Sequence, residues 1–309
     1  MDCNKKNIMN TNDKLTDFKS GFVTILGAPN VGKSTLLNRI IGAKISITSK
    51  KPQTTRNRIL GVVHKPLSQI VFLDTPGVHK AKSTLNRLIV DAAFSALNDA
   101  DIILVLLDST FSDTPSEEIL IKRLKQQKKP VILALNKTDL LKKKRISTEL
   151  NKWQDAFPFK KVIPISAKHG TGVEELLESM ESLLPPGPPY FPKESLTDLP
   201  ERFIVAEMIR EKVFRLTGQE IPYSTAVTID SFKEDKKASL VTIYASIHLE
   251  HKSQKGIIIG KGGSKLKKIG TDARVEIERL LGCRVYLNLL VRVQKNWSKD
   301  TKALKRFGL

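Results

Sequence analysis

The residues best suited to chemistry form a glycine-rich run near the start of the chain. The run reads Gly27-Ala28-Pro29-Asn30-Val31-Gly32-Lys33-Ser34, after the apolar segment Phe22–Leu26 and before a helical pattern. Glycines let backbone amides approach a phosphate, and a helix N-terminus favours negative charge. We expect Lys33 to reach the β- and γ-phosphates and the Ser34 hydroxyl to bind Mg²⁺. The run alone does not distinguish ATP from GTP.

A second motif, Asp74-Thr75-Pro76-Gly77, ends the apolar segment Ile70–Leu73. An aspartate at the end of that strand can hold the magnesium shell, and the Gly77 amide can contact the γ-phosphate. The same four letters also occur in ordinary turns. Their position after a phosphate-binding run favours the functional interpretation.

Two further motifs predict which base is bound. They are Asn136-Lys137-Thr138-Asp139, after Val131–Leu135, and Ser166-Ala167-Lys168, after Val162–Ile165. The Asp139 carboxylate can accept two hydrogens from N1 and the exocyclic amine of guanine, a pair that adenine lacks. We expect Asn136 to brace the loop, the Lys137 stem to cover the base and the Ala167 amide to bind guanine O6. Together the four motifs predict a site for GTP and GDP.

The elements that carry these motifs alternate between short apolar runs and amphipathic stretches. This alternation, which includes a further run at Ile102–Leu107, predicts an α/β domain with a mostly parallel sheet. Residues 185–200 then hold six of the 15 prolines, which predicts a semi-rigid extended linker. We expect an N-terminal tail at 1–20, a nucleotide domain at 21–184, a second domain at 201–295 and a C-terminal tail at 296–309.

The region after the linker predicts a small α+β domain with the order α-β-β-α-GxxG-α-β. Gly260-Lys261-Gly262-Gly263 joins two helical patterns. Between two helices beside a sheet, such a loop clamps a single-stranded backbone, although a plain helix connection is the alternative. Lysines around the loop are suited to neutralising phosphates. They are Lys255, Lys261, Lys265, Lys267 and Lys268.

Net charge and cysteine content indicate which classes of binding partner and which cellular compartment to expect. The chain has 52 basic and 32 acidic side chains, which gives a net charge of +20. Residues 252–309 hold 15 of the basic side chains and four of the acidic ones. This excess favours nucleic acid or an anionic membrane surface. Cys3 and Cys283 form no disulfide framework or zinc motif, and no signal peptide or spanning segment is evident. We expect a cytoplasmic protein with at most a peripheral contact to the inner face of the cell membrane.

With these motifs in place, the first 184 residues resemble a translation-factor-class GTPase domain, and nearly the whole chain is similar to the Era family of bacterial ribosome-assembly GTPases. The resemblance implies a P-loop GTPase domain followed by a type II KH domain. It also implies slow, Mg²⁺-dependent hydrolysis of GTP by a monomer. The implied partner is the single-stranded 3′ end of the small-subunit (16S) rRNA in the 30S subunit.

The resemblance adds residue roles that the motifs alone do not supply. Thr54 and Thr55 match the first switch, where Thr55 would complete the magnesium shell. Val78 stands where small signalling GTPases carry a water-orienting glutamine, which implies slow intrinsic hydrolysis. Asn30 matches a position that holds a monovalent cation, K⁺, but bracing the loop is an equal alternative. A membrane-associated switch with secondary RNA binding remains the alternative function.

Overall fold

The computed structural model describes residues 17–48, 58–78, 84–217, 225–235, 237–295, 297 and 300. For residues 84–89 and 92 it describes the backbone alone. The predicted switch threonines, Thr54 and Thr55, lie outside the described residues.

The nucleotide domain is built on a six-stranded sheet with the order β2-β3-β1-β4-β5-β6. β2 runs antiparallel to β3, and the remaining neighbours are parallel. The mostly parallel α/β sheet is therefore confirmed, with β2 as an additional hairpin strand. The strands are β1 (Lys19–Leu26), β2 (Ile59–Lys65), β3 (Ser68–Asp74), β4 (Ile102–Asp108), β5 (Val131–Asn136) and β6 (Lys161–Pro164).

Helices cover both faces of this sheet, as β4 shows most clearly. Ile102, Leu104 and Leu106 pack into one cluster of buried apolar side chains. Ile103, Val105 and Leu107 pack into another, because successive side chains of a strand point to opposite faces. Such burial explains the continuous apolar runs of the sequence. The helices are α1 (Lys33–Ile41), α2 (Thr84–Asp99), α3 (Thr114–Leu124), α4 (Lys143–Ala156) and α5 (Val173–Leu183).

The proline-rich segment 185–200 contains a turn at 193–194 and lies against the first three strands. The buried Gln69 side chain accepts hydrogen bonds from the backbone amides of Tyr190 and Phe191, at 2.7 and 3.0 Å, and donates to the Phe191 carbonyl. The Val62 amide of β2 donates to the Leu196 carbonyl at 2.9 Å. The segment is therefore held along the nucleotide domain.

The C-terminal region has the predicted order of elements around a three-stranded sheet, β7-β8-β9. β7 and β8 are antiparallel, whereas β8 and β9 are parallel and are joined through two helices. Among the described residues, no helix is long and apolar enough to cross a bilayer. The elements are α6 (Glu201–Leu216), β7 (Thr225–Asp235), β8 (Leu240–Leu249), α7 (Lys252–Ile259), α8 (Ser264–Leu281) and β9 (Arg284–Val293).

Candidate nucleotide site and RNA-binding loop

The glycine-rich run forms the turn between β1 and α1, at the carboxyl end of the central strands. Gly32 caps α1 with φ of 105°, and a β-carbon there would lie 2.3 Å from Nδ2 of Asn136. Gly27 is equally restricted, because a β-carbon would lie 2.3 Å from the Leu106 carbonyl oxygen. Both positions therefore require glycine. The turn leads into a helix N-terminus, which suits it to binding an anion.

Lys33 is buried at the start of α1 with its ammonium group inside the turn. Its Nζ donates to the carbonyl oxygens of Gly27 and Ala28, at 3.0 and 2.9 Å. Burial lowers the pKa of Lys33 to about 8, although the nearby Asp74 carboxylate opposes the shift. An ammonium group hydrogen-bonded to carbonyl oxygens, which carry no full negative charge, is suited to pairing with a phosphate group.

Asp74 is fully buried at the end of β3 and faces the same turn. Its Oδ2 accepts from the Ser34 hydroxyl at 2.8 Å and the Ser46 hydroxyl at 3.1 Å. Its Oδ1 has no hydrogen-bond partner among the residues that the structure describes. Burial raises the pKa of Asp74, and Lys33 and the two hydroxyls oppose the shift.

These oxygens fit a hard divalent cation. Mg²⁺ prefers carboxylate, hydroxyl and water oxygens, and Asp74 supplies a buried carboxylate oxygen beside the Ser34 hydroxyl. Ser46 was not predicted to belong to the site, because a lone serine in a loop carries no sequence signal.

The residues that follow Asp74 pack against the phosphate-binding turn. A β-carbon on Gly77 would lie 2.8 Å from the Cα atom of Pro29, so the two turns touch at this glycine. Thr75 is buried and donates to the Ile25 carbonyl at 2.7 Å. The Val78 amide donates to the Gly27 carbonyl at 3.0 Å, while its side chain is buried in the apolar core. Pro76 lies between these residues.

Asn136 joins three of the predicted motifs. Its Nδ2 donates to the Val31 carbonyl of the phosphate turn at 2.7 Å, and its Oδ1 accepts from the Ala167 amide at 2.9 Å. All three residues are buried. The predicted bracing role of Asn136 therefore has a direct geometric basis. The Ala167 amide predicted to bind guanine O6 bonds Asn136 in this structure.

Asp139 lies beside Ser166 in the predicted base pocket. A hydrogen bond from Ser166 is the main cause that lowers the pKa of Asp139, so the carboxylate is ionised and ready to accept. His169 Nε2 lies 3.6 Å from its Oδ2. The structure thus brings the Asp139 and Ser166 motifs together.

Two residues that the sequence analysis missed support the base pocket. The Lys137 ammonium pairs with Asp108 at the end of β4, and the Lys137 backbone has φ of 66°. Arg39 of α1 donates to the backbone carbonyls of Ala167 and Lys168. Neither partner lies in a recognisable motif, because each contact joins residues distant in sequence.

The loop Gly260–Gly263 connects α7 with α8, as predicted. Gly262 and Gly263 have φ of 59° and 79°, and a β-carbon on either would meet nothing within 4 Å. Lys255, Lys261 and Lys268 are exposed around this open backbone, and Lys265 is half-buried. The loop is therefore a glycine backbone accessible from solvent and surrounded by cations.

Family models match both parts of the chain. Residues 22–137 match the model described as 50S ribosome-binding GTPase, and residues 220–298 match the KH domain. GTPase Era of Geotalea uraniireducens (strain Rf4) is 54% identical over 94% of this chain and 98% of its own length. The chain belongs to the Era family of GTPases. GTPase Era of Syntrophus aciditrophicus (strain SB) is 48% identical over 94% of this chain and 95% of its own.

Solved Era structures agree with the whole fold. One, Era in complex with MgGDPNP and nucleotides 1506–1542 of 16S ribosomal RNA, superposes with a TM-score of 0.90 at 41% identity, covering 94% of this chain and 99% of that one. A single-substitution variant of Aquifex aeolicus Era bound to GDP·AlF₄⁻ has the same score, identity and coverage. As a member of the Era family, the protein is a GTPase built from a P-loop domain and a KH domain.

Proposed function

We propose that the protein couples GTP hydrolysis to binding of the single-stranded 3′ end of 16S rRNA during assembly of the 30S subunit, as a monomer in the cytoplasm. The observation that carries the proposal is the open glycine backbone at Gly260–Gly263, surrounded by lysines, in a chain with a nucleotide site. A KH loop of this kind clamps about four nucleotides of single-stranded backbone. The solved Era complex with 16S nucleotides supports this choice of RNA.

In the nucleotide site we assign the α-, β- and γ-phosphates to the backbone of the Gly27–Gly32 turn and to Lys33. Mg²⁺ would be held by Ser34 and Asp74, whose oxygens fit it, and by Thr55 of the first switch. Bound Mg²⁺ neutralises charge that develops on the β- and γ-phosphates during hydrolysis. Asp139 would select guanine, and the Lys137 stem would cover the base.

Intrinsic hydrolysis is proposed to be slow because Val78 cannot orient water. Its side chain neither donates nor accepts a hydrogen bond, and it is buried in the core rather than directed at the phosphates. Asn30, exposed with φ of 64° in the phosphate turn, is the proposed holder of K⁺. The domain limits proposed from the sequence, 21–184, 185–200 and 201–295, place one activity on each side of the linker.

Two variants test whether the nucleotide and the RNA bind at separate sites. Both activities are measured on the same preparation of each variant. Lys33→Ala removes the buried ammonium from the phosphate turn and should abolish GTP hydrolysis while leaving RNA binding, measured without nucleotide, intact. Gly262→Asp introduces a side chain and a negative charge at the open loop, where a phosphate would approach. It should lower RNA affinity at least tenfold while leaving GTP binding within twofold of the parent. Filter binding and a phosphate-release assay give the two readouts.

Gly282→Asp is the matched control for the loop variant. Gly282 caps the far end of α8 with φ of 68°, and a β-carbon there also meets nothing within 4 Å. Both variants therefore carry the same charge and similar backbone strain in one domain. Equal RNA binding by the parent and Gly262→Asp would contradict the RNA assignment. Liposome flotation in competition with RNA separates this function from a membrane-associated switch.

A further inference from the structure

A five-residue segment, Lys44–Thr48, lies between the phosphate site and the KH domain. On the phosphate side, Asn38 Oδ1 of α1 accepts from the backbone amides of Ile45 and Ser46, at 3.0 and 2.9 Å. The Ser46 hydroxyl donates to Asp74, the carboxylate assigned to the metal site. In the sequence, the segment precedes Thr54 and Thr55, which the family resemblance matches to the first switch.

On its other side, the same segment is bound by Glu211 of α6. Glu211 is fully buried, and its Oε1 accepts from the Thr48 amide at 3.1 Å and from the Thr48 hydroxyl at 3.2 Å. Arg215 donates to the same oxygen at 2.7 Å. The Glu211 Oε2 atom pairs with the Lys44 ammonium. One carboxylate of the KH domain therefore holds both ends of the segment.

Two more charged side chains extend this contact towards the RNA-binding loop. Lys44 also pairs with Glu276 of α8, at 2.5 Å, and Glu276 in turn pairs with Lys212, which is buried. Helix α8 begins immediately after Gly263. Glu276 is 12 residues beyond Ser264, so the helix spans about 18 Å from this contact to the loop.

Charges at such a contact favour a defined arrangement. Buried ion pairs add little net stability, because desolvation offsets their attraction, but removing one partner is costly. The paired charges therefore fix how the segment docks on α6 and α8 more than they stabilise the fold. A solvent-exposed salt bridge would fix the docking less strongly, because its partners are already solvated.

We infer that Glu211 is a positioning residue for the nucleotide site: it holds Lys44 and Thr48, and thereby links the segment that carries Ser46 to the RNA-binding domain. The inference rests on the proposed function, since it explains how GTP and RNA influence each other's binding. Asp74 and Glu211 accept hydrogen bonds from Ser46 and Thr48, which are only two positions apart. A displacement of either carboxylate can therefore shift the other through this short stretch of backbone. By thermodynamic linkage, the influence is equal in both directions.

Lys44→Gln is the most direct test, because it removes the ammonium that spans the two domains. Glu211 keeps Lys212 and Arg215 as partners in this variant, so no carboxylate is left buried without a cation. Lys44→Arg retains the charge and should restore the behaviour of the parent. Lys65→Gln is the matched control. Lys65 also pairs with two glutamates, Glu174 at 2.9 Å and Glu181 at 3.3 Å, but lies within the nucleotide domain.

The measurement is the affinity for a synthetic RNA of the 16S 3′ end in the presence of GDP and of GDPNP. We expect the two affinities of the parent to differ by about fivefold or more, the usual lower range of allosteric coupling. In Lys44→Gln the ratio of the RNA affinity with GDPNP to that with GDP should fall to within twofold of one. Lys44→Arg and Lys65→Gln should keep the parent's ratio. Saturating RNA should change the GDPNP-to-GDP selectivity by the same factor.

If thermal unfolding shows that Lys44→Gln is poorly folded, a second variant tests the inference. Thr48→Val removes the hydroxyl that donates to Glu211 and accepts from Arg215, both on α6, and should reduce the ratio of RNA affinities in the same direction. An unchanged ratio in folded Lys44→Gln or Thr48→Val, or a parent ratio of one, would overturn the inference. A parent that binds no RNA or no GTP would instead contradict the proposed function.

Discussion

Asn136→Ala should weaken both the fold and the nucleotide site, because this side chain joins the phosphate turn to the base pocket. The substitution leaves the Val31 carbonyl and the Ala167 amide without the partners that lie at 2.7 and 2.9 Å. Both groups belong to buried residues. A buried polar group without a partner costs about 1–3 kcal/mol, so the two together cost about 2–6 kcal/mol.

This cost should appear in two measurements. Urea unfolding should show a free energy of unfolding lower by about 2–6 kcal/mol. The affinity for GDP, measured by fluorescence of a labelled nucleotide, should fall by about tenfold or more, since 1.4 kcal/mol corresponds to a factor of ten. The affinity falls because the two loops that contact the nucleotide are no longer held together before it binds.

Thr138→Val is the control within the same loop. The Thr138 hydroxyl donates to the Ile165 carbonyl at 2.8 Å, but that carbonyl also accepts from the Thr138 amide at 3.2 Å. No acceptor is left without a partner, so the loss should be about 1 kcal/mol and GDP affinity should change less than twofold. If Asn136→Ala binds GDP as tightly as Thr138→Val does, the bracing argument is wrong.

Three further predictions concern the base, the cation and the contact between domains. Asp139→Asn should weaken GTP binding by about a hundredfold or more and favour xanthosine triphosphate in competition binding, because two charge-assisted hydrogen bonds are lost; unchanged preference would remove Asp139 from the base pocket. Replacing K⁺ by Na⁺ should change the hydrolysis rate of the parent more than that of Asn30→Ala, and equal rates in both salts would leave Asn30 as a brace. Burial acts to raise the pKa of Glu276, but hydrogen bonds from Lys212 and Lys44 outweigh it, and the net pKa lies below the ordinary 4.5. The ionised carboxylate therefore contributes stability above pH 4.5 that is lost as pH falls through its lower folded pKa. Glu276→Gln should accordingly lower the Tm at pH 7, with the difference from the parent shrinking in acid; a difference independent of pH would rule out the ion pairs as its cause.

Much of the nucleotide site was predictable from sequence because its motifs have local causes. Gly27 and Gly32 are restricted by close contacts, and each predicted motif directly follows a strand whose apolar run is readable. The carboxyl ends of parallel strands meet at one edge, so the order of motifs already implies their proximity. The GxxG loop was equally readable, because its neighbouring helices and strands have clear periodicity.

Other features depended on the sheet topology. β2 was not among the predicted strands, since Ile59–Lys65 joins β3 through a hairpin rather than a helical crossover. The proline-rich segment was predicted as a linker from composition. Composition cannot indicate that Gln69, in the middle of β3, binds its backbone.

The sequence by itself determined the two domains, the order of their elements and the residues that identify a guanine-nucleotide site beside a basic GxxG module. Only the tertiary structure decided that Ser46 shares Asp74 with Ser34 and that Glu211 holds Lys44 and Thr48. Lys44 and Glu211 are 167 positions apart. Local periodicity and motif spacing report what a residue does within its own element. The partner of a charged side chain across such a separation is decided by how the finished elements pack.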